Sequence, residues 1–501
     1  MKKCTLKIHD EVNASFINLE PLVRRKCNDA LKHFLPHARH MPAFKLGHWD
    51  GTVSLFAVNG NTYVNMLDRV LPIIIESGYE IDIEDDRVPR TFEFPDVDEN
   101  YIVDFMPNAV WPKGHPAEGE KIMLRDYQVQ IIKTFIENPQ ALQEIATGAG
   151  KTLLTASLSH LCEGYGRTLV IVPNKSLVEQ TEKDYKNLGL DVGVYYGDRK
   201  DIGKTHTICT WQSLDRIAKG SSAKTKTSVV DFADFIDGVV CIMIDEAHQA
   251  KAEVLKNMMT GAFANIPIRW GLTGTIPKEA HAADVILSSI GPVVNKLAAK
   301  ELMDRGVLAE CHVDLLQMID HAEFANFHEE YEFLVTDRTK LEWMAGFAQK
   351  LRLEGNTLIL VNRVSTGKEL QSMIPDSEFI SGGVKSAERN ETYDDAATKN
   401  NMAIIATYGV AAVGINIPRI FNLVLVEPGK SFVRVIQSIG RGIRKAKDKS
   451  FVQIYDISST CKFSNAHLTK RKSFYKDAQY PHKVTKVNYL QGELLSGTDE
   501  K

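Results

Sequence analysis

Ile145-Ala146-Thr147-Gly148-Ala149-Gly150-Lys151-Thr152 is the stretch on which the reading of this chain turns. It follows a short apolar run, Ala141 to Ala146, and it opens a helix-compatible run, Leu153 to Leu161. A strand, a glycine turn and a helix beginning at Lys-Thr form the layout of a phosphate-binding loop. Glycines let backbone N–H groups turn inward onto phosphate oxygens. The helix N-terminus adds partial positive charge, Lys151 adds a full one, and the Thr152 hydroxyl can ligate Mg²⁺. The pattern G-x-x-x-x-G-K-[ST] is not fully met, because Ile145 stands where its first glycine belongs. Thr147, Gly148, Ala149 and Gly150 keep the turn small, so a nucleotide phosphate is the expected ligand.

Working outward, Ile242-Met243-Ile244-Asp245-Glu246-Ala247-His248 delivers two carboxylates at the end of an apolar run. In a nucleotide site Asp245 would hold Mg²⁺ and Glu246 would orient and deprotonate an attacking water. His248 is either a relay or a surface histidine. Gly271-Leu272-Thr273-Gly274-Thr275 ends another run; its hydroxyls either bond Asp245 or His248, or belong to a plain turn. Upstream, Arg125-Asp126-Tyr127-Gln128 offers an amide that can donate to and accept from the edge of adenine. Far downstream, Gln437-Ser438-Ile439-Gly440-Arg441-Gly442-Ile443-Arg444 puts Arg441 and Arg444 on one helical face. They are either arginine fingers reaching phosphate across a cleft or a basic surface.

Around these motifs, short apolar runs alternate with helical ones. Strands are expected at Ala141–Ala146, Thr168–Val172, Val192–Tyr196, Thr207–Cys209, Val239–Ile244 and Arg269–Leu272, with a helix at Ser176–Asn187. A second alternation has strands at Thr357–Val361, Glu378–Ile380, Met402–Ala406, Leu423–Val426 and Phe451–Asp456. Its helices are expected at Thr366–Met373, Ser386–Ala397 and Phe432–Ser438. Apolar strands alternating with helices indicate parallel sheets covered on both faces. The fold class is therefore α/β, with two lobes, 119–300 and 301–460, of which only the first has a phosphate loop.

Residues 1–95 read as a small α/β module, with strands at Lys3–Ile8 and Ala14–Ile17 and a helix over Glu20–Leu35. Leu22, Val23, Cys27, Leu31 and Phe34 form the apolar side of that helix. Arg24, Arg25, Lys26, Lys32 and Lys45 gather there with Trp49, as a nucleic-acid-contacting face or as an ordinary solvated one. From Glu80 to Asp104 the composition turns acidic and proline-containing, and a linker is expected there, ending near Trp111-Pro112; as a domain boundary it is set at 96–118. After 460 a basic extension, 461–501, carries Lys462, Lys470, Arg471, Lys472, Lys476, Lys483 and Lys486, as a basic helix or a solvated end. The 501 residues include 60 basic and 64 acidic side chains, a net charge of −4, so a nucleic-acid partner requires a local basic surface. The seven cysteines form no C-x-x-C pair, which suggests neither a zinc site nor a disulfide framework and fits a cytoplasmic compartment. No apolar run is long enough to span a membrane.

Taken in order, these motifs resemble those of the superfamily 2 helicases and translocases, over about residues 120 to 457. The resemblance implies two RecA-like lobes with ATP and Mg²⁺ between them. It aligns Gln128 with the adenine-contacting glutamine, Lys151 and Thr152 with motif I, and Asp245-Glu246-Ala247-His248 with motif II. Leu272 to Thr275 is similar to motif III, Thr407 to Pro418 to motif V, and Gln437 to Arg444 to motif VI. It implies nucleic-acid contacts at Pro173, Asn174, Lys175, Thr210, Trp211, Gln212, Asn362, Arg363 and Thr407. Asn416 stands at a position that is often aspartate, with a ribose or coupling role. Within the superfamily the chain is most similar to phage UvsW-type helicases, through Lys45-x-Gly47-x-Trp49-Asp50-Gly51, Thr210-Trp211-Gln212 and Ala406 to Val410; its Asp-Glu-Ala-His differs from the Asp-Glu-Cys-His of that group. This implies a monomer acting on single-stranded and branched DNA, including forks, Holliday junctions and the RNA–DNA hybrid of R-loops, in recombination, replication and repair. If phage-encoded, it would work in the host cytoplasm. An RNA helicase, or the duplex-translocating motor of a larger complex, is the alternative.

Overall fold

The structure, a computed structural model, describes residues 2–111, 117–220, 231–246, 252–277, 279–384, 386–414, 417, 419–429 and 448–500. They divide into two compact units. The first comprises Met1–Ala109, Lys121–Ile145 and Lys151–Lys296; the second comprises Val110–Glu120, Ala146–Gly150 and Leu297–Lys501.

The first unit holds an eight-stranded sheet. Its order is Arg199–Lys200, Val192–Tyr196, His206–Thr210, Arg167–Val172, Val239–Asp245, Ile268–Thr273, Gln140–Ile145 and Val293–Leu297. The six strands from Val192–Tyr196 to Gln140–Ile145 pair in parallel. His206–Thr210 and Ile268–Thr273 are buried along their whole length, as strands covered on both faces are. Each expected strand of this lobe is present, with its ends moved by no more than one residue. Arg269 interrupts the apolar pattern, yet it is fully buried. Its guanidinium donates to the carbonyls of Met259, Phe263 and Ser289 at 2.7–3.0 Å, so no donor is stranded by the burial.

The same unit includes the amino-terminal module, a four-stranded sheet ordered Asn61–Tyr63, Asn13–Ile17, Lys2–Ile8 and Tyr79–Asp85. Its core is continuous with the larger sheet's surroundings, since Val285 of the helix Ala280–Ser289 packs into it. Polar ties reinforce the packing: Asn13 Nδ2 donates to the Thr260 carbonyl and Gln140 Nε2 to the Glu11 carbonyl, both at 2.8 Å. Two sequence expectations are corrected here. The acidic stretch from Glu80 is a strand rather than a connector. It pairs in parallel with Lys2–Ile8, and its carboxylates meet that strand's lysines, with Lys3 3.7 Å from Glu80 and Lys7 3.0 Å from Asp86. The helix expected over Glu20–Leu35 ends at Ala30, because Lys32–Phe34 pairs antiparallel with Thr52–Ser54. Val23, Cys27 and Leu31 are buried as expected, while Leu22 and Phe34 are exposed.

The second unit's sheet runs Ser377–Ile380, Ala403–Thr407, Thr357–Val361, Asn422–Val426, Phe451–Ser459, Glu310–Met318, His482–Asn488 and Glu493–Glu500. All pairs are parallel except the last. Glu310–Met318 escaped the sequence reading, because its polar residues alternate with buried ones over its first half. The basic extension is also no loose end. Lys462–Asp477 is a helix, and His482–Asn488 joins the sheet beside Glu310–Met318. Arg471, expected on a solvated face, is fully buried. It makes two hydrogen bonds to Asp456, at 2.7 and 2.9 Å, and donates to the Gly429 carbonyl at 2.7 Å. The helix expected at Phe432–Ser438 lies outside the described residues.

A chain of buried polar groups ties that helix to the strand ends. Glu330 accepts from the backbone N–H groups of Phe463 and Ser464, at the helix's first turn. The Ser464 hydroxyl lies 3.0 Å from both carboxylate oxygens of Glu427. Burial pushes the Glu427 carboxyl up to about 7, against the opposing pull of Arg471 and the Ser464 hydrogen bond.

Two outcomes are expected. Asp456→Ala strands a buried guanidinium and should cost about 3–5 kcal/mol, read as a fall in denaturant midpoint. The raised folded-state pKa of Glu427 means that its proton stabilises the fold fully below about 4.5, with this contribution lost as pH rises through about 7. Glu427→Gln should therefore gain up to about 3 kcal/mol over wild type between pH 5 and pH 8 in urea unfolding. A pH-independent difference would contradict the assignment.

Candidate functional site

Gln140–Ile145 runs up the sheet and stops, the chain turns over 146–150, and a helix, Lys151–Cys162, begins at once. Gly148 and Gly150 have φ of 93° and 85°, conformations that side chains with a Cβ avoid. These two glycines make the turn. Ile145, at the place of the absent first glycine, is a fully buried strand residue; the position falls inside the sheet and needs no glycine. Ala149 is buried, whereas Thr147, Gly148 and Thr152 are half-buried and Gly150 is exposed.

Val239–Asp245 lies between Arg167–Val172 and Ile268–Thr273, one strand removed from Gln140–Ile145, and carries its acids to the same edge of the sheet. In open α/β sheets that edge, outside the carboxyl ends of the strands, is where ligands bind. Lys151 Nζ donates to Glu246 Oε1 at 2.7 Å, with the two side chains only 10% and 8% exposed. Glu246 adopts φ of 54°, in the left-handed region. It is held there by its own N–H on the Leu272 carbonyl at 2.9 Å and by Gly274 N–H on its Oε2 at 3.4 Å. A non-glycine residue kept in this conformation costs about 1–3 kcal/mol, sustained by the surrounding contacts.

At Leu272 to Thr275 two contacts are described. The Thr273 hydroxyl donates to the Thr275 carbonyl at 2.7 Å, and it is the backbone N–H of Gly274 that reaches the acid pair. A backbone contact of this kind leaves no mark in residue type. Gln128 is buried, and its Oε1 accepts from Arg125 N–H at 2.9 Å, capping the helix Asp126–Glu137. Arg125 is exposed and donates to the Tyr127 hydroxyl at 3.1 Å. His248, Asn416, Gln437, Arg441 and Arg444 lie outside the described residues.

The side chains that could hold a magnesium ion are Thr152, in the first helical turn, and Asp245, at the strand end. Among the described residues no group of three or more His, Cys, Asp and Glu side chains could hold a metal by itself. Mg²⁺ does not require one: it is bound through one or two carboxylates, with substrate phosphates and water completing six oxygens. The residues present fit that mode.

The residues expected to touch nucleic acid also sit at strand ends. Pro173, Asn174 and Lys175 follow Arg167–Val172; Thr210, Trp211 and Gln212 end His206–Thr210 and open the helix Trp211–Gly220. Asn174 caps the helix Lys175–Asn187, accepting from Leu177 N–H at 3.1 Å. Lys175 is exposed, and Trp211 packs partly against the hydrophobic core. In the second unit, Asn362 and Arg363 follow Thr357–Val361, and Thr407 ends Ala403–Thr407. Asn362 Nδ2 donates to the Glu427 carbonyl at 3.3 Å, while Arg363 pairs with Glu332 and lies over the Tyr331 ring. All seven cysteines are free and buried. Among the described residues no helix is long and apolar enough to cross a membrane.

Residues 121–278 match the family model of the type III restriction enzyme res subunit, and residues 339–446 match the helicase conserved C-terminal domain. Over 482 residues the chain is 22% identical to the ATP-dependent DNA helicase uvsW of Enterobacteria phage T4, covering 91% of both proteins. It is 27% identical over 208 residues to the DNA 3'-5' translocase XPB2 of Sulfurisphaera tokodaii, covering 41% of each. Its fold is similar to that of the ATP-dependent Type ISP restriction-modification enzyme LlaBIII bound to DNA, with a TM-score of 0.53 at 16% identity, over 73% of this chain and 31% of that one. With a phosphate loop and an acid pair on one sheet edge, and two helicase models matched in sequence order, the chain belongs to the superfamily 2 helicases, enzymes driven by ATP.

Proposed function

We propose that this protein is an ATP-dependent DNA helicase or translocase that remodels branched DNA, such as forks, four-way junctions and R-loops, in recombination, replication and repair. The observation that carries the proposal is the Lys151–Glu246 contact at the carboxyl edge of the first sheet. The 22% identical match to a DNA helicase along 91% of both chains supports DNA as the substrate. Residues 119–300 and 301–460 are the two motor lobes, 1–95 an accessory module and 461–501 an extension of the second lobe.

In this reading ATP lies against Thr147, Gly148, Ala149, Gly150, Lys151 and Thr152, with Arg125 and Gln128 near its base and Asn416 near its ribose. Lys151 neutralises phosphate charge. Mg²⁺, held by Thr152 and Asp245, would draw charge from the phosphate oxygens. Glu246 takes the proton of the attacking water, and Gly274 N–H fixes the carboxylate for that task. Arg441 and Arg444 supply positive charge to the departing phosphate, and the neutral amide of Gln437 belongs to the same catalytic group. DNA contacts at Pro173, Asn174, Lys175, Thr210, Trp211, Gln212, Asn362, Arg363 and Thr407 fall on phosphates and sugars, because a motor must tolerate every sequence. The protein works as a monomer, in the host cytoplasm if phage-encoded.

Lys151→Ala should abolish strand-stimulated ATP hydrolysis. Glu246→Gln should lower it by about 10²–10⁴ with the fold intact; a wild-type rate in either variant would refute its role. Stimulation compared across single-stranded DNA, forks, junctions, R-loops and RNA duplexes tests the substrate. A maximum on RNA would favour an RNA helicase, and stimulation by duplex without strand separation a translocating motor.

A further inference from the structure

From Ala30 to Trp49 the chain contains no acidic residue, in a protein whose net charge is −4. Lys32, Arg39 and Lys45 lie in this stretch, with four histidines. Three of these groups already have partners: Lys32 with Asp50 at 2.9 Å, His33 with Asp284 at 2.8 Å, and the exposed Arg39, whose guanidinium lies over the Phe34 ring 5.8 Å from its centroid. Arg39, Lys45, His37, His40 and His48 are exposed. Among them stand two exposed apolar side chains, Leu46 at 68% and Met41 at 39%.

The loop presenting them is firmly built. It rises from the paired strands Lys32–Phe34 and Thr52–Ser54, and Leu35 N–H closes its base on the Gly51 carbonyl at 2.9 Å. Two short helical turns, Pro36–His40 and Pro42–Lys45, fill it. Phe34 and Phe44 meet edge to face with centroids 5.9 Å apart, and Gly51, at φ of 80°, passes so close to Phe34 that a Cβ would lie 2.5 Å from that ring. Trp49 is half-buried and its indole N–H donates to the Thr52 carbonyl at 2.7 Å. That hydrogen bond supports the loop. Leu46 and Met41 are thus held at the surface on a preformed scaffold.

Cations around an exposed aliphatic tip match one ligand chemistry well. Phosphates take the cations, and an apolar side chain enters between base pairs where stacking is already weakened. We infer that this loop is a DNA-docking wedge: Arg39 and Lys45 grip the duplex backbone, and Leu46, backed by Met41, enters the step beside a branch point. The inference rests on the DNA helicase reading and adds to it a site for branch recognition outside the motor's strand-end contacts. A branch offers an unstacked step at little cost, so such a wedge selects forks over continuous duplex.

The test uses the full chain and a forked duplex carrying 2-aminopurine at the junction. Arg39→Ala with Lys45→Ala should weaken fork binding at least about tenfold and reduce the log–log salt slope by about 2. Leu46→Ser should keep the salt slope but lose most of the junction fluorescence rise, and Leu46→Met should retain it. Unchanged fork affinity in the first variant, or an unchanged fluorescence rise in Leu46→Ser, overturns the assignment. Wild-type ATP hydrolysis stimulated by single-stranded DNA is measured alongside. Its absence refutes the helicase reading itself; its presence with unaltered variants refutes the wedge alone.

Discussion

The nearly buried ion pair between Lys151 and Glu246 is the constraint on which the site depends. Three strands converge on it. Gln140–Ile145 launches the loop and helix that bring the ammonium, Val239–Asp245 brings the carboxylate, and Ile268–Thr273 ends in the backbone N–H that steadies it. Two charges removed from water to this degree are tolerated only when each satisfies the other. A triphosphate entering the loop must compete with Glu246 for the same ammonium. In the proposed function, nucleotide binding and release of the carboxylate for proton transfer would be one event.

The second unit carries its own buried charges, and they serve a different purpose. Asp456 with Arg471 joins the helix Lys462–Asp477 to the strand Phe451–Ser459, Glu427 with Ser464 joins it to the end of Asn422–Val426, and Glu330 joins it to the helix Phe327–Thr336. The Glu427 carbonyl also receives the Asn362 amide. The carboxyl-terminal segment is thus built into the lobe, and the strand ends expected to touch DNA rest on it. The sequence left a basic helix or a solvated end open; the helix is present, and the burial of Arg471 was not legible because in sequence it is indistinguishable from its exposed neighbours.

The parallel sheets were legible because strands buried on both faces, such as Thr357–Val361, leave runs with no polar interruption. The phosphate loop and the acid pair were legible because their chemistry needs specific residue types at strand ends. Strands with charged or alternating faces were not. Tyr79–Asp85 reads as an acidic linker until its lysine-bearing partner strand is known, and Glu310–Met318 shows its centrality only through its neighbours. Backbone contacts were equally silent: nothing in the identity of Gly274 announces its bond to Glu246. Leu46 and Met41 were passed over because periodicity accounts for core residues and has no category for apolar ones held outside.

The most direct measurement is the affinity for a non-hydrolysable ATP analogue, with Mg²⁺, in wild type and in Glu246→Gln. If phosphate and carboxylate compete for the Lys151 ammonium, removing the carboxylate charge should tighten binding, by roughly tenfold for a charge-assisted contact of about 1.4 kcal/mol. Binding weakened tenfold would contradict the account, since Glu246 would then be helping to hold the nucleotide rather than yielding its lysine to it.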